Sequence, residues 1–106
     1  MDAQEQRMLL ELAAKAAGYK VHSSGKLFWV WKDSNVEWVD WNPLSDDGDA
    51  LRLAIQLEMD VSFGLRGAVI EQSHGKKIQE LDDNDPYAAT RRAIVRAAAE
   101  IGRNMK

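Results

Sequence analysis

The stretch from Trp38 to Leu57 constrains the fold more than any other part of the chain. It reads as an aromatic strand, Trp38-Val39-Asp40-Trp41, ended by Asn42-Pro43, because proline lacks a backbone N–H and forces its predecessor into extended geometry. Ser45 or Asp46 can cap the helix that follows, and Asp46, Asp47 and Asp49 stand where the positive end of a helix macrodipole favours anions. Ala50, Leu51, Leu53, Ala54, Ile55 and Leu57 then cover an arc of roughly 200°, wider than a helix lying on a surface needs. The spacing predicts a helix over 46–58 covered on two sides, with Leu53 and Leu57 in the core.

The flanking segments arrange themselves around that unit. Residues 2–17 read as a helix opened by Asp2 and Glu5 in a capping-box spacing and closed by Gly18, with Met8, Leu9, Leu12, Ala13 and Ala16 on one face. Tyr19 to His22 is a short extended piece before the turn Ser23-Ser24-Gly25. Residues 27–31 and 36–41 alternate as the arms of a β-hairpin across Lys32-Asp33-Ser34-Asn35, and the first arm is apolar on both faces, as a central strand would be. Residues 61–71 read as one strand interrupted by a bulge or bend at Arg66-Gly67, followed by a turn at 73–76 and a weak edge strand over 76–79. Asp85-Pro86, a cap residue with proline at the first helical position, opens a terminal helix over 86–102. Tyr87, Thr90, Ile94, Ala97, Ala98 and Ile101 share one of its faces, and its alanines permit close packing. No internal repeat is legible. The expected class is α+β: a mostly antiparallel sheet of about four strands covered by three helices, as an alpha-beta-alpha sandwich.

Charge and composition narrow the function classes. A chain of 106 residues is one domain's worth of core, and the absence of cysteine excludes disulfides and thiolate metal sites. No apolar run nears the roughly 18–20 residues of a membrane span, and Met1-Asp2-Ala3-Gln4-Glu5-Gln6 is the opposite of a signal peptide's start, so a cytoplasmic location is expected. The net charge of −3 divides unevenly: residues 1–85 carry nine Lys/Arg against sixteen Asp/Glu, and residues 86–106 carry five against one. A basic terminal helix on an acidic body either docks onto that body or faces an anionic partner.

Catalytic and metal chemistry find little support. His22 and His74 are the only histidines, and neither stands in a triad order or a paired-ligand spacing. Asp46-Asp47-Gly48-Asp49 offers oxygen ligands but lacks the calcium-loop spacing, and helix-start acids account for it. Asp82, Asp83 and Asp85 read as an acidic loop with a cap. No catalytic residue, metal or cofactor is therefore assigned. The four tryptophans, Trp29, Trp31, Trp38 and Trp41, all lie in the first hairpin. They are either core or the anchors of a protein interface, and the acids Asp33, Glu37 and Asp40 beside Lys26 and Lys32 argue against base stacking. The alternative nucleic-acid surface is the stripe Arg92, Arg96 and Arg103 on the last helix.

Taken together, Ala17-Gly18-Tyr19 after an N-terminal helix, Trp41-Asn42-Pro43-Leu44 leading into Asp46-Asp47-Gly48-Asp49-Ala50-Leu51-Arg52-Leu53-Ala54, a hairpin, and an Ala/Arg helix opened by Asp85-Pro86 resemble the small phage and prophage proteins with an alpha-beta-alpha sandwich domain. The resemblance spans most of the chain and is most specific at Trp-Asn-Pro-Leu and the acidic helix start. It implies a layered fold and a phage genomic origin, with no agreed catalytic residues to transfer. The expected function is then a non-catalytic accessory protein that binds and modulates a host or phage protein, a class that includes inhibitors of host defence such as anti-CRISPR proteins. The alternative is a nucleic-acid-associated accessory protein working through the arginine stripe.

Overall fold

The computed structural model describes residues 1–24, 27–31, 38–64, 67–71, 77–81 and 85–105. Helix α1 (Ala3–Ala17) begins where the Asp2 carboxylate accepts the Glu5 amide at 2.7 Å. It ends at Gly18, whose φ of 81° lets the Tyr19 amide turn back to the Ala14 carbonyl, 2.9 Å away. Strands β1 (Lys20–Ser24), β2 (Leu27–Trp31) and β3 (Val39–Asp40) follow. Helix α2 (Asp47–Gln56), with Asp46 as its cap, then leads to β4 (Asp60–Gly64), β5 (Gly67–Glu71) and β6 (Lys77–Leu81). Helix α3 (Pro86–Arg103) closes the chain; Asp85 accepts the Ala88 amide at 3.1 Å and Pro86 occupies the first turn, where its missing N–H costs nothing.

The strands form two three-stranded antiparallel sheets, β1-β2-β3 and β4-β5-β6, where the sequence suggests one sheet of about four strands. Two strand boundaries account for the difference. Residues 20–24 form a full strand that pairs with β2 and runs through the expected turn residues Ser23 and Ser24, placing Val21 opposite Val30 and Ser23 opposite Phe28. Residues 60–64 and 67–71 are two strands paired antiparallel, not one strand interrupted by a bulge or bend: Phe63 lies opposite Ala68 and Gly64 opposite Gly67. The expected first hairpin is present, with Trp29 opposite Asp40 and Val30 opposite Val39, although Val36 and Glu37 lie outside the described residues.

The two halves repeat one device at an offset of 40 residues, from Lys20 to Asp60 and from Leu27 to Gly67. Each half is a helix, a left-handed stop and an antiparallel hairpin. At the second stop Glu58, with φ 55°, stands where Gly18 stands in the first, and the Met59 amide returns to the Ala54 carbonyl at 3.0 Å. Burial follows the same register: Ala13, Ala14, Phe28 and Val30 are buried, as are Leu53, Ala54, Ala68 and Ile70. Yet between 9–23 and 49–63 only Ala14/Ala54 and Val21/Val61 coincide, which is why the repeat cannot be seen in the letters.

Helix α3 ties the halves together. Ala93, Ile94, Val95, Ala97, Ala98 and Ala99 are all buried, because the helix packs on α1, on β5 and β6, and on α2. The core-facing side of α1 is Leu9, Leu10, Ala13, Ala14 and Ala17, rotated from the expected stripe so that Met8 is exposed. Small residues set the spacing between α1 and α3. A Cβ built on Gly102 would lie 2.0 Å from the Leu12 carbonyl oxygen, and backbone cannot swing aside as a side-chain tip can. Gly102→Ala is accordingly expected to destabilise by about 1–3 kcal/mol through overpacking, read as a lowered denaturation midpoint in a urea titration. An unchanged midpoint would mean that α1 and α3 are farther apart than described. No helix among the described residues is long and apolar enough to cross a membrane.

Candidate interaction surface

The acids at the start of α2 are absorbed by the corner they build. Asp46 accepts the Asp49 amide at 2.8 Å, and Asp49 accepts the Asn42 amide at 3.0 Å while pairing with Arg52 at 2.8 Å. Asn42 in turn accepts the Leu44 amide on its side chain and the Ser45 and Asp46 amides on its carbonyl. Pro43 is buried beneath this corner, and the Leu44 carbonyl accepts from Arg91 Nε at 2.8 Å. Trp-Asn-Pro-Leu is thus a structural hinge between sheet and helix. Its neighbour Tyr19 donates to Gln56 Oε1 at 2.6 Å, and partial burial pushes the Tyr19 phenol above its usual range. Among the described residues no group of three or more His, Asp or Glu is placed to hold a metal ion; His74, Asp82 and Asp83 lie outside them.

The tryptophans divide by strand register. Trp41 is 2% exposed, with its ring against Tyr19 (5.7 Å, perpendicular) and Phe28 (6.1 Å), so it belongs to the core and cannot anchor a partner. Trp29 and Trp31 are half-buried on the outer face of the first sheet, opposite His22 and Lys20 on β1. His22 stacks on Trp29 at 5.5 Å, and Trp38, 45% exposed, meets Trp31 edge-on at 5.8 Å. Trp29, Trp31 and Trp38 therefore share one outward aromatic face, from which Trp41 is separated by pointing inward.

The arginine stripe is engaged by carboxylates. Arg92 donates to Glu80 at 3.0 Å, Arg96 lies 3.4 Å from Glu80 and 3.6 Å from Glu5, and Arg103 pairs with Glu100 at 2.8 Å. Arg91 joins them by donating to Asp47 at 2.6 Å. Arg92 and Arg96 line a cleft of about 750 Å³ with Glu80 and Gln79 of β6, so the basic helix docks its charge onto the acidic body.

Among the described residues the most exposed apolar surface lies elsewhere, on α2, β4 and the start of α3. Leu51, Ile55, Phe63 and Tyr87 are exposed at 59, 66, 71 and 68%. Leu51, Phe63 and Tyr87 border a groove of about 610 Å³ whose walls include Ala50, Val61 and Ile94. The expectation that α2 is covered on both sides fails here: Ala50, Leu53 and Ala54 face the core, while Leu51 and Ile55 face solvent. The overwide apolar arc was the signal, and it marks a second, solvent-exposed apolar face of the helix, not a deeper burial.

The internal repeat supplies a control. At the positions equivalent to Leu51, Ile55 and Phe63, the first half carries Glu11, Lys15 and Ser23. The same helix-and-hairpin unit therefore folds with polar groups at these places, so the fold does not require the apolar ones. The outer aromatic face shares this property in part: Trp31 corresponds to Glu71 and His22 to Ser62, but Trp29 corresponds to Val69. The chain matches no protein-family model, no curated protein and no solved structure.

Proposed function

We propose that this protein is a non-catalytic binding module that acts by occupying another protein, with the α2–β4–α3 groove as its principal contact surface. The observation that carries this reading is the exposure of Leu51, Phe63 and Tyr87 around one groove, with Ile55 exposed farther along α2, and the polar Glu11, Lys15 and Ser23 that the other half of the molecule carries where this half has Leu51, Ile55 and Phe63. Contiguous exposed apolar surface of this kind marks interaction sites, and large aromatic side chains are the usual energetic anchors. Trp38 and its half-buried neighbours Trp29 and Trp31 offer an accessory contact on the outer face of the first sheet. The resemblance at Trp41-Asn42-Pro43-Leu44 and the acidic helix start motivates a phage or prophage origin, with a host or phage protein in the cytoplasm as the proposed target. The rival nucleic-acid reading is weakened by the carboxylate partners of Arg92, Arg96 and Arg103.

Affinity capture from nuclease-treated bacterial lysate, with the wild type and Leu51→Glu/Ile55→Lys side by side, tests the assignment. The double substitution writes into α2 the pair that α1 already carries, so folding is expected to be kept, as circular dichroism would verify. A protein retained by the wild type and lost from the variant is the expected result; a hot-spot loss of 2 kcal/mol corresponds to roughly 30-fold in affinity. Two results would overturn the reading: capture indifferent to the substitution, or salt-sensitive nucleic-acid binding abolished by Arg92→Ala/Arg96→Ala.

A further inference from the structure

We infer that an extended segment of the partner protein joins the second sheet as an antiparallel strand beside β4, with two apolar side chains on the groove face and a Lys or Arg opposite Asp60. This rests on the proposed function and names how the partner is held. The first support is the backbone. In the order β4-β5-β6, β4 is paired on one side only, so half of its N–H and C=O groups point away from the sheet. Among the described residues nothing outside the sheet hydrogen-bonds to Val61, Ser62 or Phe63, and Ser62 and Phe63 are exposed. A row of free backbone groups is met by another extended chain, since a helix has already bonded its own. Strand addition of this kind draws affinity from main-chain bonds and specificity from alternate side chains. The other sheet edges are guarded: β1 carries Lys20 and His22, β6 carries Lys77 and Glu80, and β3 is two residues long. The single charge of β4 is Asp60, at its first position.

The second support is the groove beside that edge. Val61 and Phe63, alternate residues on one face of β4, line it, and α2 contributes Ala50 and Leu51 to the same groove. An added strand lies about 4.8 Å from β4, and its residues opposite Val61 and Phe63 point to the groove face. Main-chain pairing and apolar contact are thus available to one extended segment at once.

The third support is charge on the other face. Asp60 points away from the groove, where the register sets it directly opposite Glu71, and Glu71 opposite Lys77. From the edge inward the row reads acid, acid, base, and like charges directly opposite one another are unfavourable. Asp60 has no ion-pair partner among the described residues. A cation on its open side would flank the two acids with base on both sides. A second copy of β4 in the same register would set Val61 and Phe63 on the groove face but Gly64 opposite Asp60, so it meets the apolar half of the site and not the charge. Read from its N-terminus, the matching segment is apolar, any residue, apolar, then Lys or Arg.

The probes are a labelled peptide with the core Val-Thr-Val-Lys, its counterpart ending in Glu, and two N-methylated forms of the first, each blocking one alternate set of amides. Fluorescence anisotropy at physiological salt is expected to show the Lys peptide binding about threefold or more tighter than the Glu peptide. One N-methylated form should lose at least about tenfold and the other bind like the parent, because only one set of amides faces β4. Asp60→Lys, an exposed change that also removes the opposition to Glu71, should keep the fold and reverse the charge preference. Phe63→Ser, which writes in the Ser23 of the equivalent strand β1, should weaken both peptides. Equal binding of the two N-methylated forms, no peptide binding at all, or a charge preference that Asp60→Lys leaves in place would overturn the inference. So would self-association in sedimentation velocity that Phe63→Ser removes, since a second copy would then hold the edge. Failure of the peptides beside lysate capture that Leu51→Glu/Ile55→Lys abolishes would remove the added strand alone. Capture indifferent to that substitution would remove the underlying reading as well.

Discussion

Trp41→Ala is expected to destabilise the protein by about 3–5 kcal/mol, whereas Trp38→Ala should stay within about 0.5 kcal/mol of wild type. The contrast tests strand register directly. Trp41 follows Asp40, whose partner on β2 is Trp29, and its own amide donates to the Phe28 carbonyl at 3.2 Å. That bond holds Trp41 on the inward side with Phe28, where the two rings and Tyr19 close the core beneath the Asn42-Pro43 corner. Removing the indole opens a cavity that fixed backbone on both sides cannot fill, so transfer and cavity costs add. In a domain whose whole stability is of order 5–15 kcal/mol, such a loss leaves a large unfolded fraction. Urea titration of the two variants would settle the matter. A Trp41→Ala midpoint close to that of Trp38→Ala would place Trp41 at the surface, among the partner-contacting residues.

How legible this was depends on the kind of signal. The caps at Asp2, Asp46 and Asp85, the stop at Gly18 and the proline opening of α3 are local chemistry, and the folded chain uses each as its residues suggest. Strand boundaries were less legible, because a glycine inside an apolar run can mean a bulge or a reversal. At Gly64 and Gly67 the two readings differ only in pairing partners that are remote in sequence. The repeat was hidden because burial, not identity, is what it preserves: Ala13 answers Leu53 and Phe28 answers Ala68.

The candidate surface was legible in part. The aromatic cluster was visible, but alternation alone could not tell which of the four tryptophans face outward. Register decides that, and the register depends on where the short β3 pairs. The groove was missed because Leu51 and Ile55 look like core in a helix with Leu53 and Ala54. Only the position of α3 determines which side of α2 is left uncovered. The arginine stripe was visible too; Arg103 pairs with Glu100 on its own helix, but the carboxylates that meet Arg92 and Arg96 come from separate elements, Glu80 from β6 and Glu5 from α1. No pattern in the sequence brings those three elements together.

Leu53→Ala and Leu51→Ala, two residues apart on one helix, should separate core from interface. Leu53 is 1% exposed and among the largest fully buried side chains, enclosed where α2 meets the common core, so its truncation should cost about 2–5 kcal/mol. The spread reflects how far the surroundings can collapse. Here collapse is limited, because α2 is anchored at one end by the Asp46–Asp49–Asn42 bonds and at the other by Gln56 Nε2 donating to the Ala17 carbonyl at 2.7 Å. Leu51, facing solvent, should lose about 0.5 kcal/mol or less. Denaturant midpoints and partner binding should therefore move oppositely: Leu53→Ala should lower the midpoint sharply, while its remaining folded fraction still binds. Leu51→Ala should keep the midpoint and weaken binding. If both variants lost stability equally, Leu51 would be core, and the exposed groove on which the functional reading stands would close.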